Sequence, residues 1–206
     1  MFFITTIIFI LLIVFLLWVL SMIWPPDSPW APWWQTKKET AEKICQLAEI
    51  NEKDVIYDLG CGTGTALLVA NQLYGAKGVG IEIDFLRVCI AKWRAFLSSL
   101  RGAKRRSNLI DRHVIFLEKN QLAMTKNDIL ILRKNFFSVD ISPASVVFVY
   151  LVPKALKRLV SKFLKELRPG TKIVSYIYPL PVELLKGKLE LIKYDIRERI
   201  FVYQII

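Results

Sequence analysis

The stretch VIYDLGCGTGTALLVANQLY, residues 55–74, decides the fold of this 206-residue chain. Its first five residues form a largely apolar run that predicts a buried strand, and its last ten have the spacing of a helix over 65–74. Between them lies the loop of residues 60–64, with glycine at every second position. Glycine lets the backbone turn sharply and approach a ligand, and the start of a helix offers unpaired N–H groups. Strand, glycine-rich loop and helix in this order therefore predict a ligand site at the end of the first strand.

Strands and helices alternate along most of the remaining chain, which is typical of a parallel sheet covered on both faces. The last two segments, 189–195 and 199–206, are expected to form an antiparallel pair. The sequence therefore predicts an α/β fold: a doubly wound, mostly parallel, seven-stranded, Rossmann-like sheet whose last strand is antiparallel. The other predicted elements are strands over 78–83, 128–132, 145–151 and 172–177 and helices over 85–100 and 154–167.

Residues 1–24 carry no charged side chain and are almost all apolar. About 22 such residues in a helix span a hydrocarbon core of ~30 Å. A cleaved signal peptide is the alternative, but the run is too long and ends in bulky residues. We therefore predict a transmembrane anchor over 1–24 and a single-pass membrane localisation. Lys37, Lys38 and Lys43 follow the anchor closely, which predicts that the domain lies on the cytosolic or organelle-interior side.

Residues 25–35 form a Pro- and Trp-rich arm whose four prolines favour an extended chain. Its tryptophans suit either the headgroup zone of a membrane or a lid packed on the domain, and both interpretations stay open. The pattern Thr36-Lys-Lys-Glu39 predicts a capping box that begins a helix. The folded domain is expected over 36–206, with a basic insertion over 101–127 that is too long for a simple loop.

The amino-acid composition excludes several kinds of catalytic site. The chain has three cysteines, none in a CxxC pair, and one histidine, so zinc sites, Cys–His pairs and Ser-His-Asp triads lack material or spacing. No metal is expected, and the chemistry must come mostly from an organic cofactor. The net charge of +11 permits nucleic-acid binding, but no RNA-binding motif accompanies it. Two groups of basic residues stand out. The first, suited to anionic lipid, consists of Arg101, Lys104, Arg105, Arg106 and Arg112. The second, expected to be a solvated helix face, consists of Lys154, Lys157, Arg158, Lys162 and Lys165.

The glycine pattern separates two classes of cofactor. Dinucleotide sites use G-x-G-x-x-G, whereas Thr65 stands where the third glycine of that pattern would be. The pattern here is G-x-G-x-G with Asp58 two residues before the first glycine, which suits S-adenosylmethionine better. Glu82, which ends the second predicted strand, is expected to accept the ribose hydroxyls. Asp84 is the alternative, and an acid at that point can also merely cap the next helix.

Over residues 36–206 the sequence resembles the class I S-adenosylmethionine-dependent methyltransferases. VIYDLGCGTG, VGIEID, the short strand leading to Pro153, and IVSYIYPLP narrow the resemblance further. Together with the apolar segment they resemble membrane-anchored protein-lysine methyltransferases, typified by the mitochondrial enzymes that modify the adenine nucleotide translocase and the ATP synthase c subunit. The resemblance implies cofactor contacts from Asp58, Gly60, Cys61, Gly62, Thr63, Gly64, Glu82 and Asn135.

Three positions depart from that family. Cys61 and Thr63 stand where the family tends to have serine or aspartate, and Asn135 replaces the acid expected to contact the adenine amino group. Asparagine still accepts a hydrogen bond through its carbonyl oxygen. No catalytic residue is certain, and Tyr150 is a candidate either for orienting the acceptor amine or for packing.

The resemblance implies methylation of lysine on a membrane-associated protein. Two alternatives remain: a methyltransferase of a small molecule, lipid or quinone precursor, and a non-catalytic anchored binding module.

Overall fold

The computed structural model describes residues 2–23, 34–105, 129–181 and 187–206, without the side chains of residues 18, 21–23 and 100–105. The helices are α1 (Phe2–Ile23), α2 (Lys38–Leu47), α3 (Thr65–Tyr74), α4 (Phe85–Arg105) and α5 (Pro153–Glu166). The strands are β1 (Val55–Leu59), β2 (Lys77–Glu82), β3 (Ile129–Arg133), β4 (Val146–Val149), β5 (Lys172–Tyr176), β6 (Leu189–Asp195) and β7 (Ile200–Ile205).

The seven strands form one sheet in the order β3-β2-β1-β4-β5-β7-β6. The pairs among β1 to β5 are parallel, whereas β7 runs antiparallel to both of its neighbours, β5 and β6. The predicted seven-stranded sheet with an antiparallel last strand is therefore confirmed. The chain leaves β1 towards β2 and β3 on one side and returns through β4 to the other. This reversal puts the switch point of the sheet at the carboxyl ends of β1 and β4, where ligands of such folds bind.

Two apolar cores cover the two faces of the sheet. Alternate strand residues such as Leu59 and Val147 face α5, whose Leu156 and Phe163 are fully buried. The intervening strand residues, such as Phe148, face α2, α3 and α4. This alternation follows from the two-residue period of a strand, and it fixes the loops at the strand ends between two rigid layers.

The predicted bounds of β1, α3 and β6 agree with the structure. Helix α4 continues to Arg105, beyond its predicted end, and a 3₁₀ turn over Phe136–Ser138 was not expected. The predicted capping box is wrong: α2 begins at Lys38, its N-cap is the extended residue Lys37, and no side chain caps it. Thr36 lies one residue too early to be the cap.

Among the residues that the structure describes, no helix has both the length and the apolar character needed to cross a bilayer. This finding contradicts the predicted transmembrane anchor over residues 1–24. It also contradicts the single-pass membrane localisation with the domain on the cytosolic or organelle-interior side. The expectation of a membrane-associated substrate rested on that anchor together with the family resemblance.

Two other predictions fall largely outside the described residues. They are the extended form of the arm, of which only residues 34 and 35 are described, and the basic insertion over 101–127, described only as helical backbone to Arg105. The second basic group lies on α5, where Lys154, Lys157 and Arg158 are exposed and the opposite side is buried. That helix face is solvated as predicted, except at Lys162, whose side chain is largely buried and pairs with Glu166 at 2.7 Å.

Candidate functional site

The glycine loop of residues 60–64 turns back over the end of β1. The N–H groups of Gly60 and Cys61 donate to the carbonyl oxygen of Ile81 on β2, at 2.8 and 3.1 Å. Gly60, Gly62 and Gly64 have φ of 88°, 54° and 76°, a left-handed conformation in which residues with a Cβ are strained. Gly64 is the N-cap of α3, so the loop leads directly into the positive end of that helix.

Close packing beneath the loop depends on Gly80 of β2. A Cβ at this position would lie 2.7 Å from Cys61 Sγ and 2.7 Å from Ile131 Cδ1. Burial and the nearby carboxyl groups of Asp58 and Glu82 hold the pKa of the Cys61 thiol well above its usual range. Cys61 is therefore a neutral packing residue rather than a nucleophile.

Glu82, the last residue of β2, joins the loop to the start of α4. Its Oε2 accepts the N–H of Gly62 at 2.9 Å, and its Oε1 accepts the N–H groups of Ile83 and Asp84 at 2.9 and 3.0 Å. A carboxylate has about four lone-pair sites, so three bonds leave room for a further donor such as a ribose hydroxyl. The buried Glu82 side chain thus shapes the loop and also lines the cavity described below.

Asp58 lies in β1, beneath the loop and close to Glu82. Burial and the Glu82 charge raise the pKa of Asp58 to about 8, so that its carboxyl group is mostly protonated at neutral pH in the ligand-free protein. Its side chain does not line the cavity. A nearby cationic group would favour the ionised form, which is compatible with the expected cofactor amino group.

Arg94 of α4 holds the loop from the other side. Its Nη1 donates to the carbonyl oxygen of Thr63 at 2.8 Å, to Thr63 Oγ1 at 2.8 Å and to Thr65 Oγ1 at 3.1 Å. A single guanidinium thereby fixes the last turn of the loop and the first residue of α3. No local sequence pattern indicates this contact, because only tertiary packing decides which α4 residues face the loop.

A cavity opens above the loop at the carboxyl ends of the strands. Its walls combine apolar side chains such as Phe136 and Leu151 with polar ones such as Glu82 and Asn135, as is usual for ligand pockets. Of the predicted residues, Gly60, Cys61, Gly62, Thr63, Glu82, Asn135 and Tyr150 line it, whereas Asp58 and Gly64 do not. The residues that sequence reasoning missed are Trp34, Gln35, Thr36, Thr65, Ala66, Ile83, Arg87, Phe136, Phe148 and Leu151.

Some of the missed residues had a signal in the sequence and others had none. Arg87, a buried cation in the first turn of α4, could have been suspected from its place just after Glu82, the acid expected to accept ribose. Trp34 and Gln35 belong to the arm, for which packing on the domain is one of the two interpretations. Asp84 accepts the N–H of Arg87 at 2.9 Å and does not line the cavity, so it caps α4 as the structural alternative predicted.

Two residues at the rim combine polar and aromatic character. Asn135 is exposed and accepts the N–H of Phe137 at 3.0 Å, which leaves its amide NH₂ and a second oxygen lone pair available. Tyr150 follows the end of β4, with its ring 4.7 Å from that of Tyr176 in an edge-on arrangement. Burial and the neighbouring tyrosines raise the pKa of Tyr150, so that its phenol is neutral and can orient an amine but is a poor base.

These residues fit S-adenosylmethionine part by part. The first turn of α3 offers N–H groups to a carboxylate, Glu82 keeps acceptor capacity for ribose, and Ile83 and Phe136 supply apolar walls for a flat base. Among the described residues, no group of three or more His, Cys, Asp or Glu could hold a metal ion.

Comparisons with known proteins agree with this fit. A solved RNA methyltransferase from Salinibacter ruber, in complex with S-adenosyl-L-homocysteine, superposes with a TM-score of 0.63 at 27% identity, covering 83% of this chain and 92% of that one. A precorrin-6y C5,15-methyltransferase from Geobacter metallireducens shares the fold, with a TM-score of 0.56 at 14% identity over 88% and 93% of the two chains. The family model of the ANTKMT methyltransferase domain matches residues 108–183.

The fold, the site and these likenesses define a class I S-adenosylmethionine-dependent methyltransferase. A protein-lysine N-methyltransferase of Saccharolobus islandicus is 30% identical over 163 residues, which are 77% of this chain and 86% of that protein. The chain therefore belongs to the same methyltransferase family as that protein. The family resemblance and the cofactor predicted from the sequence are thereby confirmed, apart from membrane anchoring, and a non-catalytic module is excluded.

Proposed function

We infer that the protein transfers methyl groups from S-adenosylmethionine to the side-chain amino group of lysine in a protein. The observation that carries this proposal is the 30% identity to a protein-lysine N-methyltransferase over most of both chains. The match to the ANTKMT methyltransferase domain over residues 108–183 supports it independently. That match includes Tyr150 and the end of β4, where the acceptor is expected.

The reaction requires the protein mainly to align the methyl donor with the acceptor amine. When bound, S-adenosylmethionine supplies an electrophilic methyl group, and an amine attacks it in line with the bond that breaks. The glycine loop and Glu82 fix the position of the donor, and Tyr150 can hold the amine through its neutral hydroxyl. A lysine amine must be deprotonated to react, and an apolar passage lowers the pKa of a buried ammonium without a dedicated base.

Labelling of a cell extract tests the proposal. The purified chain is incubated with methyl-tritiated S-adenosylmethionine and an extract of cells that lack its gene. Protein, RNA and small-molecule fractions are then separated. We expect the label in protein, and after acid hydrolysis in methylated lysine. Glu82→Ala, which removes the ribose acceptor and three loop contacts, is the matched inactive control.

The same experiment distinguishes the other acceptors. Label confined to RNA would favour the chemistry named for the Salinibacter ruber protein and would overturn the lysine proposal. Label confined to small molecules or lipids would favour the alternative drawn from the sequence. Label in another amino acid of the protein fraction would keep a protein substrate but exclude lysine.

A further inference from the structure

A second cavity adjoins the cofactor cavity on the side of α2 and the turn between β6 and β7. It is a cleft open to solvent, lined mostly by polar and aromatic side chains. Three residues line both cavities, namely Trp34, Gln35 and Tyr150. These three residues therefore form the boundary between the second cavity and the cofactor cavity.

Aromatic side chains lie at and beside this boundary. Tyr150 and Tyr176 follow one another at neighbouring strand ends, since Val149 of β4 pairs with Ser175 of β5. Their rings lie edge-on, 4.7 Å apart between centroids, and only Tyr150 reaches the cofactor cavity. Trp34 also lines both cavities, and the residue is 69% exposed. Aromatic faces of this kind suit an alkyl stem that carries a cationic or amino tip.

The segment that carries Trp34 is attached to the glycine loop. Gln35 Nε2 donates to Thr63 Oγ1 at 3.4 Å, and Arg94 binds the same hydroxyl. The wall between the two cavities is therefore connected to the loop that holds the cofactor. A group that enters through the second cavity is guided towards the cofactor rather than past it.

The outer part of the second cavity has a balanced charge. Lys37 and Lys43 stand beside Glu39 and Glu198, and Lys43 forms an ion pair with Glu198. A surface for a nucleic-acid backbone needs an excess of positive charge, which this lining does not provide. A protein segment with mixed side chains meets no such electrostatic barrier.

We propose that the second cavity is the docking site of the substrate protein, and that the target lysine reaches the cofactor between Trp34 and the Tyr150–Tyr176 pair. This inference rests on the proposed lysine methylation and assigns its acceptor site. Tyr176 contacts the acceptor side alone, because it lines the second cavity and not the cofactor cavity. Trp34 contacts both sides, because it lines both cavities.

Two constants, measured on the same variants, test the site. The KM for the labelled substrate protein reports the acceptor site, and the Kd for S-adenosylmethionine, from calorimetry, reports the cofactor cavity. Tyr176→Ala is expected to raise the KM at least ten-fold and to leave the Kd within two-fold of the wild type. Tyr176→Phe keeps the ring and should keep both constants, whereas Trp34→Ala should raise both. Tyr194→Ala, an exposed tyrosine of β6 outside both cavities, is the matched control.

An unchanged Kd also shows that Tyr176→Ala is folded, and Tyr176→Leu replaces it if it is not. If the wild type forms methyl-lysine and Tyr176→Ala, or Tyr176→Leu in its place, keeps the wild-type KM, the site is wrong and lysine methylation stands. If the wild type leaves lysine unmodified, lysine methylation and the site are both wrong. If Tyr176→Ala or its replacement raises the Kd as much as the KM, the two cavities are one site and the separate docking site is excluded.

Discussion

The Glu82 carboxylate accepts three backbone N–H groups from the loop and from the start of α4. In Glu82→Gln one oxygen becomes an NH₂ group that faces an N–H donor. We expect this change to lower the free energy of unfolding by about 1–3 kcal/mol, the usual cost of an unsatisfied buried group. It should also weaken S-adenosylmethionine binding at least ten-fold. Urea unfolding and calorimetry measure the two effects, with the exposed Glu190→Gln as control, and equal affinity in both variants would contradict the role of Glu82.

Asp58 makes the stability of the ligand-free protein depend on pH. Burial, with the Glu82 charge, raises the pKa of Asp58 from 3.8 in an unperturbed chain to about 8 in the folded one. Between these values the folded state binds a proton that the unfolded state has released, so this contribution to stability is full below about pH 4 and is lost as the pH rises through about 8. Asp58→Asn should remove that dependence.

Urea unfolding of the wild type and of Asp58→Asn at pH 5, 6.5 and 8 checks this prediction. The difference in unfolding free energy between the two proteins should shift in favour of the variant as the pH rises. A constant difference across this range would show that Asp58 titrates near its ordinary pKa.

At the scale of elements, helix α4 supports the loop through Arg94. Its guanidinium makes three hydrogen bonds to Thr63 and Thr65, and burial lowers its pKa without an acid that offsets this. Arg94→Gln should loosen the loop and raise the Kd for S-adenosylmethionine about ten-fold, which corresponds to ~1.4 kcal/mol. The kcat at saturating cofactor should change little, because Arg94 does not line the cavity.

Calorimetry and steady-state kinetics separate the two constants. Lys92→Gln, an exposed change in the same helix, is the control and should alter neither. A fall in kcat with an unchanged Kd would mean that Arg94 acts on the reaction rather than on the loop.

The elements also show what the sequence could and could not predict. Strand β1 and helix α3 were predicted with their observed bounds, because an apolar run and a helical stripe are local patterns broken by glycine. The bonds from Glu82 to the loop and from Arg94 to Thr63 join residues 20 and 31 positions apart, and no local pattern encodes them. The capping box failed for a related reason: Thr-x-x-Glu favours a cap at Thr36, but the chain enters α2 one residue later.

At the scale of the whole molecule, the cofactor cavity gathers segments that are far apart in the chain. Its walls come from residues 34–36, 60–63, 65 and 66, 82 and 83, 87, 135 and 136, 148, 150 and 151. A ligand that contacts most of these segments binds only the folded domain. Its binding free energy must therefore appear as stability of the whole fold.

Thermal unfolding with different ligands tests this linkage and the choice of cofactor together. At a free concentration of ~100 times its Kd, S-adenosylmethionine should add about 2.7 kcal/mol of stability, or roughly 5–10 °C in Tm for a domain of this size. NAD, whose loop pattern is broken at Thr65, should leave the Tm unchanged. Glu82→Ala at the same cofactor concentration should show a clearly smaller shift, because its Kd is higher. A shift with NAD and none with S-adenosylmethionine would contradict the assignment of the glycine loop, whatever acceptor the enzyme uses.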